Sequence, residues 1–353
     1  MNKEKTGRAS GFANKIGKAV LLIIETVLLI VISLYIVLFV HFRGPSPTVG
    51  ERFASMLQES SALKFVPTLF YGDEKMQEIM SYKEDVYVPA TDTSLITVNT
   101  GENQQFESDT ANTDSYGLTD DDGDGIILEE VHGSGYSGYM MVVLDPSRVI
   151  MGSVPDSFGK TGYTVEQMVQ YYGAVAGTNA GGFYDPNGQG DGSIPDTLVV
   201  FDGKMYYSGY GVGAGFVGID YDCILHVGLK SAQEITDANI RYGVCFGPVL
   251  VSNGEMNDEK ALSNGPNPRT AIGQRADGAI LLLVIDGRQA VSMGASYLDL
   301  AKIMLRYGAV NACNLDGGSS SLMWFNGDYV NNKAMVIGVR PVPTTFIVLP
   351  KEG

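Results

Sequence analysis

The sequence predicts a mixed α+β protein, in which strand-rich, twisted sheets and a few packed helices follow one transmembrane helix and a helical stalk. Three observations support this fold class. A single long apolar run lies near the N-terminus of the 353-residue chain. From residue 126 onward, many short apolar runs are separated by Gly and Asn, which is typical of strands joined by tight turns. Only two segments of that region have clear helical spacing, too few for repeated βαβ units.

The apolar run is predicted to be a membrane anchor at residues 19–42. Ala19–Val40 contains only Glu25, Thr26 and Ser33 as polar residues, and its length as a helix, roughly 33 Å, is enough to cross a bilayer. A cleaved signal peptide is the alternative. Such peptides have shorter apolar regions, of roughly 7–15 residues, and a small-residue cleavage site that this run does not show.

Charges around the anchor predict its orientation. Residues 1–18 hold five basic residues and one acid, so the positive-inside rule predicts a cytoplasmic tail there and a single-pass cell-membrane protein with everything after Arg43 outside. The chain carries −16 in total; residues 1–43 contribute +4 from six Lys or Arg and two Glu, which leaves −20 for the remainder. Such an acidic ectodomain is a poor partner for nucleic acid, and none is predicted.

The anchor is followed by a predicted helical stalk at residues 43–90 and a polar, acidic linker at 91–125. Gly44 and the prolines after it are expected to end the first helix. Thr48–Leu57 and Asp73–Met80 have the spacing of short amphipathic helices, and the aspartate is expected to cap the second one. The linker is rich in Asp, Asn, Thr, Ser and Gly, a composition typical of flexible segments.

Three aspartates at the end of the linker form a candidate metal site. Asp120, Asp122, Asp124 and the glycine that follows match the first half of an EF-hand calcium loop. Position 12 of that loop, which requires a bidentate Glu, is Val131 here. Two interpretations stay open: a calcium site, or a solvated acidic turn before a strand. No cofactor is required by the other motifs.

The cysteines and histidines argue against several chemistries. Cys223, Cys245 and Cys313 form no CxxC pair and lie in apolar runs. Buried thiols are therefore expected, with a disulfide between the first two left open. The histidines form no zinc-binding pattern, and neither His132 nor His226 flanks the G-x-S-x-G elbow of a serine hydrolase.

The domain at residues 126–353 is predicted from alternating strand and turn signals. Ile126–Val131 and Gly138–Leu144 are expected to pair as strands around a Gly-rich turn. Helices are expected at Thr164–Tyr172, with a threonine N-cap, and at Ser296–Tyr307, where apolar residues recur at helical spacing.

Five polar clusters in this domain lie at the ends of apolar runs. In the most informative one, a run from Tyr307 to Leu315 ends in Asp316, two glycines and three hydroxyl residues. A carboxylate at a strand end, beside glycines whose backbone N–H groups face a ligand, suits binding of a polar substrate or an anion. Arginine suits bidentate recognition of phosphate. The other clusters are Asn179–Phe183, Arg269–Gly273, Asp286–Arg288 and Arg340–Thr344.

Taken in chain order, these clusters resemble those of the phosphodiester glycosidase family. The resemblance covers roughly residues Ile126–Leu349. Ala180 stands where many members have Gly, which adds a methyl group beside the expected site. The motifs that carry the resemblance are Asn179-Ala-Gly-Gly-Phe183, Arg269-Thr-Ala-Ile-Gly273, Asp286-Gly-Arg288, Asn314-Leu-Asp-Gly-Gly-Ser-Ser320 and Arg340-Pro-Val-Pro343.

The resemblance implies hydrolysis of a sugar-1-phosphodiester in a surface or exopolysaccharide-type glycan. It implies candidate catalytic roles for Asp316, Asp286 and Asn179, although a structural ion pair with Arg288 is an alternative for Asp286. Candidate substrate- or phosphate-binding residues are Gly181, Gly182, Arg269, Thr270, Arg288, Asn314, Gly317, Gly318, Ser319, Ser320 and Arg340. Two other functions stay open: a non-catalytic cell-surface module that binds glycan, and a metal-dependent phosphodiesterase with Asp316, Asp286 and the 120–124 loop as ligands.

Overall fold

The structure is a computed structural model that describes residues 3–60, 63–81, 87–99, 113–208, 215–259, 261–289, 291–332 and 338–351. Residues 100–112, the middle of the predicted linker, lie outside these ranges. The helices in the described ranges are α1 Lys3–Arg43, α2 Pro47–Gln58, α3 Asp73–Ile79, α4 Val165–Tyr172, α5 Ala232–Asp237 and α6 Tyr297–Arg306. The strands are β1 Ile126–Gly133, β2 Tyr136–Val143, β3 Val149–Ser153, β4 Ala176–Asn179, β5 Leu198–Phe201, β6 Lys204–Tyr207, β7 Phe216–Asp220, β8 Leu225–Leu229, β9 Ile240–Cys245, β10 Val249–Ser252, β11 Glu255–Met256, β12 Arg269–Arg275, β13 Ile280–Ile285, β14 Ala309–Leu315, β15 Met323–Phe325, β16 Asp328–Tyr329 and β17 Thr344–Val348.

The N-terminal helix α1 is longer than the predicted anchor, because it begins at Lys3 and runs through the predicted tail. It ends at Arg43, directly before the glycine that was expected to stop it. Its segment Gly17–Arg43 is long and apolar enough to cross a membrane, and its most apolar part is not buried by the rest of the protein. This segment is compatible with a single-pass anchor and also with a signal sequence.

Helices α2 and α3 pack against the end of α1 in a small core of their own. Phe42, Leu57 and Phe70 lie at its centre, and the rings of Phe42 and Phe70 stack with centroids 4.5 Å apart. Both helices lie where the sequence predicts them. The predicted cap of α3 is wrong by one residue: Gly72 is the N-cap, and Asp73 lies in the first turn, where its charge favours the helix dipole.

The strands form three antiparallel sheets, which confirms the mixed, strand-rich fold class. In the described residues the sheet orders are β1-β2-β13-β12-β14-β10-β11, β16-β15-β4-β17-β3 and β6-β5-β9-β7-β8. The first two strands pair from Ile126↔Val143 to Gly133↔Tyr136, as the sequence predicts. Short connections between neighbouring strands and many tight turns account for the high glycine content.

The seven-stranded sheet is buried on both faces, and strand β13 shows this most clearly. Ile280, Leu282 and Val284 belong to the core shared with the two smaller sheets, whereas the alternating residues Leu281 and Leu283 pack under α6 in a second core. Because side chains alternate between the faces of a strand, a strand covered on both sides is apolar throughout. This explains the unbroken apolar run that the sequence shows here.

Helices α4 and α6 begin at capping boxes, which confirms their predicted starts. The Thr164 hydroxyl accepts from the Gln167 backbone N–H at 3.2 Å, and the Ser296 hydroxyl accepts from Asp299 at the same distance. In return, the side chains of Gln167 and Asp299 accept hydrogen bonds from the backbone N–H groups of Thr164 and Ser296, which completes each capping box. The short helix α5, which the sequence interpretation did not include, begins with the same motif at Ser231.

The three cysteines are free thiols in the structure, so the disulfide left open by the sequence is not formed. Burial raises the pKa of the Cys245 thiol to about 11 and that of Cys313 to about 12. Since the thiolate is the reactive form, these two side chains act as packing residues at neutral pH.

Candidate active site

Three of the predicted polar clusters meet where strands β4, β12 and β14 begin or end. The backbone N–H of Asp316 donates to the carbonyl of Ala180 at 3.0 Å, and the N–H of Gly318 donates to the carbonyl of Pro268 at 2.9 Å. Strand β14, which leads into Asp316, pairs with β12 from Thr270↔Leu315 onward. Backbone hydrogen bonds therefore hold the glycine–serine loop against the other two motifs.

Asn179 joins the same three motifs through its side chain. Its Nδ2 donates to the carbonyl of Asp316 at 2.6 Å, and its Oδ1 accepts from the Thr270 hydroxyl at 2.8 Å and from the Leu322 backbone N–H at 3.2 Å. Asn179 and Thr270 are fully buried. Their polar atoms are satisfied inside the protein, so they position the Asp316 loop and do not line the pocket beside it.

The pocket at this junction has a volume of about 230 Å³ and a mainly charged and polar wall. A concave site with several convergent polar groups is the expected form of a ligand-binding site. Residues of its wall that the sequence had selected are Gly182, Arg269, Arg288, Asp316, Gly317, Gly318, Ser319, Ser320 and Arg340. Residues that the sequence had not selected are Glu59, Phe183, Asp185, Asp196, Phe246, Asn267 and Tyr297.

Asp316 has a strongly perturbed carboxyl group. Desolvation raises its pKa to about 7, and the nearby charge of Asp196 acts in the same direction. A hydrogen bond with Ser320, the charge of Arg340 and the Gly317 N–H, which donates to Oδ1 at 3.0 Å, favour the ionised form but do not overcome the desolvation. A carboxyl group with a pKa near 7 is suited to exchange protons with a substrate at neutral pH.

Arg340 crosses one side of the pocket and is held firmly in place. It forms an ion pair with Asp185 at 2.9 Å and donates to the Ser319 hydroxyl at 3.3 Å and to the Gly190 carbonyl at 3.1 Å. Its guanidinium carbon lies 4.7 Å from the centre of the Phe183 ring. These contacts fix a positive charge near Asp316, although Asp185 neutralises part of it.

Arg269 and Arg288 form the other, more cationic side of the pocket. Arg269 stacks on the ring of Tyr297, with its guanidinium carbon 4.2 Å from the ring centre. Desolvation, together with the neighbouring charge of Arg269, lowers the pKa of Arg288. Arg269 is buried, whereas the Arg288 side chain is exposed at the rim of the pocket. Two guanidinium groups that repel each other favour binding of an anion between them.

Gly318 makes room for one of these cations. Its φ is +63°, in the left-handed region, and a Cβ at this position would lie 3.4 Å from Nη2 of Arg288. A side chain here would be strained in the backbone and would contact the guanidinium group. The glycine therefore lets the loop backbone approach the cationic side of the pocket.

An acid of the stalk, Glu59, lies in the cationic side of the pocket. Its Oε2 accepts from Nη2 of Arg269 and from Nδ2 of Asn267, both at 2.8 Å, and its Oε1 lies 3.5 Å from the Tyr297 hydroxyl. Three donors from the domain thus converge on one carboxylate. The stalk is docked beside this contact, since the Gly265 N–H donates to the Ser55 hydroxyl at 2.9 Å.

Asp286, a predicted catalytic residue, does not line the pocket. Its carboxylate accepts from Nδ2 of Asn331 at 3.1 Å, from the Asn332 backbone N–H at 3.0 Å and from Nδ2 of Asn332 at 2.9 Å. The alternative ion pair with Arg288 is not formed either. These bonds give Asp286 the contacts of a residue that anchors the 331–332 turn.

Two further predicted binding residues, Gly181 and Asn314, are buried away from the pocket. The N–H of Gly181 donates to the Thr344 hydroxyl at 3.1 Å, and Nδ2 of Asn314 donates to the Gly247 carbonyl at 2.8 Å. Both stabilise the loops behind the pocket wall. Local sequence does not separate them from Gly182 and Gly317, which do face the pocket.

The three aspartates of the candidate calcium loop come together away from the pocket. One carboxylate oxygen each of Asp120, Asp122 and Asp124 lies within 4.8 Å of the others. Asp120 also accepts from the N–H groups of Gly123 and Gly125, at 3.0 and 2.9 Å. The cluster has ligand atoms that suit a hard cation, while these bonds are also those of an ordinary acidic turn. Calcium binding stays a prediction.

A profile described as phosphodiester glycosidase matches residues 172–349, half of the chain. The chain belongs to this family, as the order of its motifs indicates. The matched region contains the pocket residues except Glu59, and it begins after β1, β2 and β3, two of which pair with strands inside it.

Individual relatives agree with this assignment. The chain is 31% identical over 206 residues to an uncharacterized SPbeta prophage-derived protein, YomE, of Bacillus subtilis, covering 55% of this chain and 31% of that one. It is 28% identical over 222 residues to the mouse N-acetylglucosamine-1-phosphodiester alpha-N-acetylglucosaminidase, covering 57% of this chain and 42% of the enzyme. The chain thus spans less than half the length of these two relatives.

A solved structure shares the fold. It is the catalytic domain of the zebrafish N-acetylglucosamine-1-phosphodiester alpha-N-acetylglucosaminidase, described as auto-inhibited by its pro-peptide. The TM-score is 0.53 at 21% sequence identity, and the match covers 64% of this chain and 82% of the zebrafish domain.

Proposed function

We propose that the chain is a membrane-anchored, extracellular hydrolase of sugar-1-phosphodiesters in surface or exopolysaccharide-type glycans. One observation carries the proposal: a single pocket holds Asp316, whose pKa is raised to about 7, together with the guanidinium groups of Arg269 and Arg288. A glycosyl phosphodiester has the matching pair of groups, an anomeric carbon and an adjoining phosphate anion. Membership of the phosphodiester glycosidase family supports the same substrate class.

The reaction follows from these groups. A water molecule attacks the anomeric carbon, and the Asp316 carboxylate accepts the proton that the water loses. The bond from the anomeric carbon to the phosphate oxygen breaks, and its electron pair stays on the phosphate. Arg269 and Arg288 stabilise the charge that develops there. The products are the free sugar and a phosphate monoester, which is a stable anion and leaves without strong acid catalysis.

In this proposal the substrate phosphate binds where the Glu59 carboxylate lies in the structure. A carboxylate and a phosphate need the same donors, and Glu59 already binds Arg269 and Asn267. The substrate phosphate therefore competes with Glu59, so that the docked stalk lowers activity until its carboxylate leaves the pocket. The pocket then binds the monoanionic phosphodiester group more tightly than a neutral sugar.

The cellular placement rests on the N-terminal helix and on charge. The segment Gly17–Arg43 is suited to cross a membrane, and the basic tail before it favours the cytoplasmic side. The acidic domain would then face the cell surface, where glycans with phosphodiester links are accessible. A docked stalk of two short helices holds the domain close to the membrane.

The test is incubation of the full chain in detergent with a panel of sugar-1-phosphodiesters, followed by ¹H and ³¹P NMR. We expect free sugar and phosphate monoester to appear together, and an Asp316→Asn variant to be at least ~100-fold slower. Full turnover by that variant would contradict the role of Asp316. Sugar binding without any turnover would favour the glycan-binding module, and loss of activity in a chelator would favour the metal-dependent phosphodiesterase.

A further inference from the structure

Asp196 stands out among the charged residues of the pocket because its carboxylate has no partner among the described residues. Glu59 and Asp185 form ion pairs with Arg269 and Arg340, whereas no residue in the described part of the chain forms a hydrogen bond or ion pair with the Asp196 side chain. Its exposure is intermediate, and burial raises its pKa, with the charge of Asp185 as a second cause. Because half-buried carboxylates normally have partners, a free one in a binding pocket points to a ligand group.

The position of Asp196 is fixed by the backbone and not by its side chain. Its N–H donates to the Gly182 carbonyl at 2.9 Å, and an isolated bridge joins Phe183 to Pro195 beside it. The carboxylate lies directly over Gly182: a Cβ added there would be 2.5 Å from Oδ2 of Asp196. The backbone of Asp196 is therefore fixed beside Gly182 before any ligand arrives.

The ring of Phe246 lies next to this carboxylate. The same Cβ position on Gly182 is 2.9 Å from Cε2 of Phe246, and both side chains line the pocket. Asp196 and Phe246 thus present a pair of acceptor oxygens beside an apolar ring. A pyranose has the complementary form, since its hydroxyl groups project from the edge while one face carries C–H groups.

We propose that Asp196 and Phe246 form the subsite that recognises the sugar ring. Asp196 accepts hydrogen bonds from two adjacent hydroxyl groups of the sugar, and Phe246 packs against its C–H face. This inference rests on the proposed function for the identity of the ligand as a glycosyl group, and it adds which residues select the sugar. In this arrangement the sugar binds on the acidic side of the pocket, beside Asp196. The phosphate binds on the cationic side, between Arg269 and Arg288.

The subsite explains the division of charge within one pocket. An acceptor-only carboxylate repels phosphate, so Asp196 keeps the anionic end of the substrate away from the sugar position. With the phosphate held by the arginines and the hydroxyl pair held by Asp196, the anomeric carbon lies between them. Asp196 then acts on substrate binding and orientation, and not on proton transfer.

The test measures sugar binding separately from turnover. Methyl α-glycosides of glucose, galactose, mannose and N-acetylglucosamine are titrated by saturation-transfer NMR into the wild-type chain and into Asp196→Ala, Asp196→Asn and Phe246→Ala variants. We expect at least one glycoside to bind, and each variant to weaken that binding by ~10-fold or more, as expected for loss of a polar or stacking contact. Asp202→Asn, an exposed acid close in sequence, is the matched control and is expected to bind as the wild type does.

Deoxy analogues of the bound glycoside decide whether hydroxyl recognition is involved. An analogue that lacks one hydroxyl of the recognised pair should bind the wild type ~10-fold more weakly, and Asp196→Ala should weaken its binding less than that of the parent glycoside, because one hydrogen bond has already been lost. Unchanged folding of the variants is checked by their thermal unfolding temperature. The proposal is overturned if no glycoside binds the wild type, if the Asp196 variants bind normally, or if every analogue loses the same affinity in wild type and variant.

The proposed hydrolysis and this subsite fail in different ways. If sugar binding depends on Asp196 but the protein hydrolyses no phosphodiester, the subsite is supported and the proposed hydrolase activity is rejected. Hydrolysis with an unchanged KM in Asp196→Ala would keep the hydrolase and reject the subsite. If both proposals are correct, Asp196→Ala raises KM by ~10-fold or more and changes kcat less.

Discussion

At the residue scale, Asp316 owes its chemistry to opposing effects of its surroundings. Desolvation and the charge of Asp196 raise its pKa to about 7, while Arg340, Ser320 and the Gly317 N–H partly counteract this increase. A carboxylate with an ordinary pKa would be a much weaker base toward water. The raised pKa therefore makes Asp316 a more effective base, provided that the pH keeps it ionised.

This raised pKa predicts the pH dependence of the reaction. Because the base must be ionised, kcat/KM should fall about tenfold per pH unit below 7 and reach a plateau above 7. The pH profile of sugar release checks this, and the slow residual activity of Asp316→Asn should not follow the same curve. Asp328→Asn, an exposed aspartate, serves as the control. Activity that decreases above pH 7 would instead make Asp316 a proton donor.

Arg288 is expected to contribute to activity and not to stability. Desolvation and the charge of Arg269 lower its pKa, so its charged form is disfavoured in the substrate-free pocket. We expect Arg288→Gln to reduce kcat/KM by ~10- to 100-fold while the unfolding temperature stays constant or rises. Arg241→Gln, which removes an exposed arginine paired with Asp202, is the control. Wild-type activity in Arg288→Gln would exclude Arg288 from phosphate binding.

At the scale of elements, the contact between the stalk and the pocket is the feature through which we propose that activity is regulated. Helix α2 ends at Gln58, and the next residue, Glu59, forms the ion pair with Arg269 at 2.8 Å. Both side chains are about nine-tenths buried, so the pair is weakly screened by solvent. Breaking it exposes donors that a substrate phosphate then satisfies.

Removing the Glu59 charge should therefore increase activity. We expect Glu59→Gln to lower KM for a sugar-1-phosphodiester by ~10-fold, because the competing carboxylate is lost while the stalk stays docked. Glu51→Gln is the matched control, since Glu51 lies on the same helix and pairs with Lys75 at 36% side-chain exposure. Steady-state kinetics of the three proteins give the comparison. A higher KM in Glu59→Gln would mean that Glu59 assists substrate binding.

Local patterns in the sequence predicted the elements well because local chemistry determines them. Ser296 and Thr164 each begin a capping box, and the buried strand β13 is apolar at every position. Motif order identified Asp316 and the three arginines of the pocket. Glu59 lies 210 residues before Arg269. A local sequence pattern cannot predict a contact between residues so far apart in the chain.

Asp286 shows why local context alone misplaces a catalytic residue. Asp286 directly follows the apolar strand β13, as Asp316 directly follows β14, and each aspartate is followed by glycine. The two differ in what folds over them: Asn331 and Asn332 enclose Asp286, whereas Asp316 opens into the pocket. Asp196 was missed for the opposite reason, because its importance lies in the absence of a partner in the described structure.

At the scale of the whole molecule, the charge distribution suits a protein that is held at a membrane by one end. The first 43 residues carry +4 and the remainder −20. If the predicted topology is correct, a protease added to intact cells should degrade the domain from residue 126 onward, while an epitope before Lys3 stays protected. Immunoblots against both ends, with a cytoplasmic protein as the control, measure this. Protection of both ends would contradict the extracellular placement.

The central claim is that the bond between the anomeric carbon and the phosphate oxygen is broken. Hydrolysis of a sugar-1-phosphodiester in H₂¹⁸O, followed by ³¹P NMR of the phosphate monoester, tests it most directly. Attack of water at carbon predicts a monoester without ¹⁸O, and therefore no isotope shift of its ³¹P signal. A monoester that carries ¹⁸O would show attack at phosphorus and contradict the glycosidase mechanism.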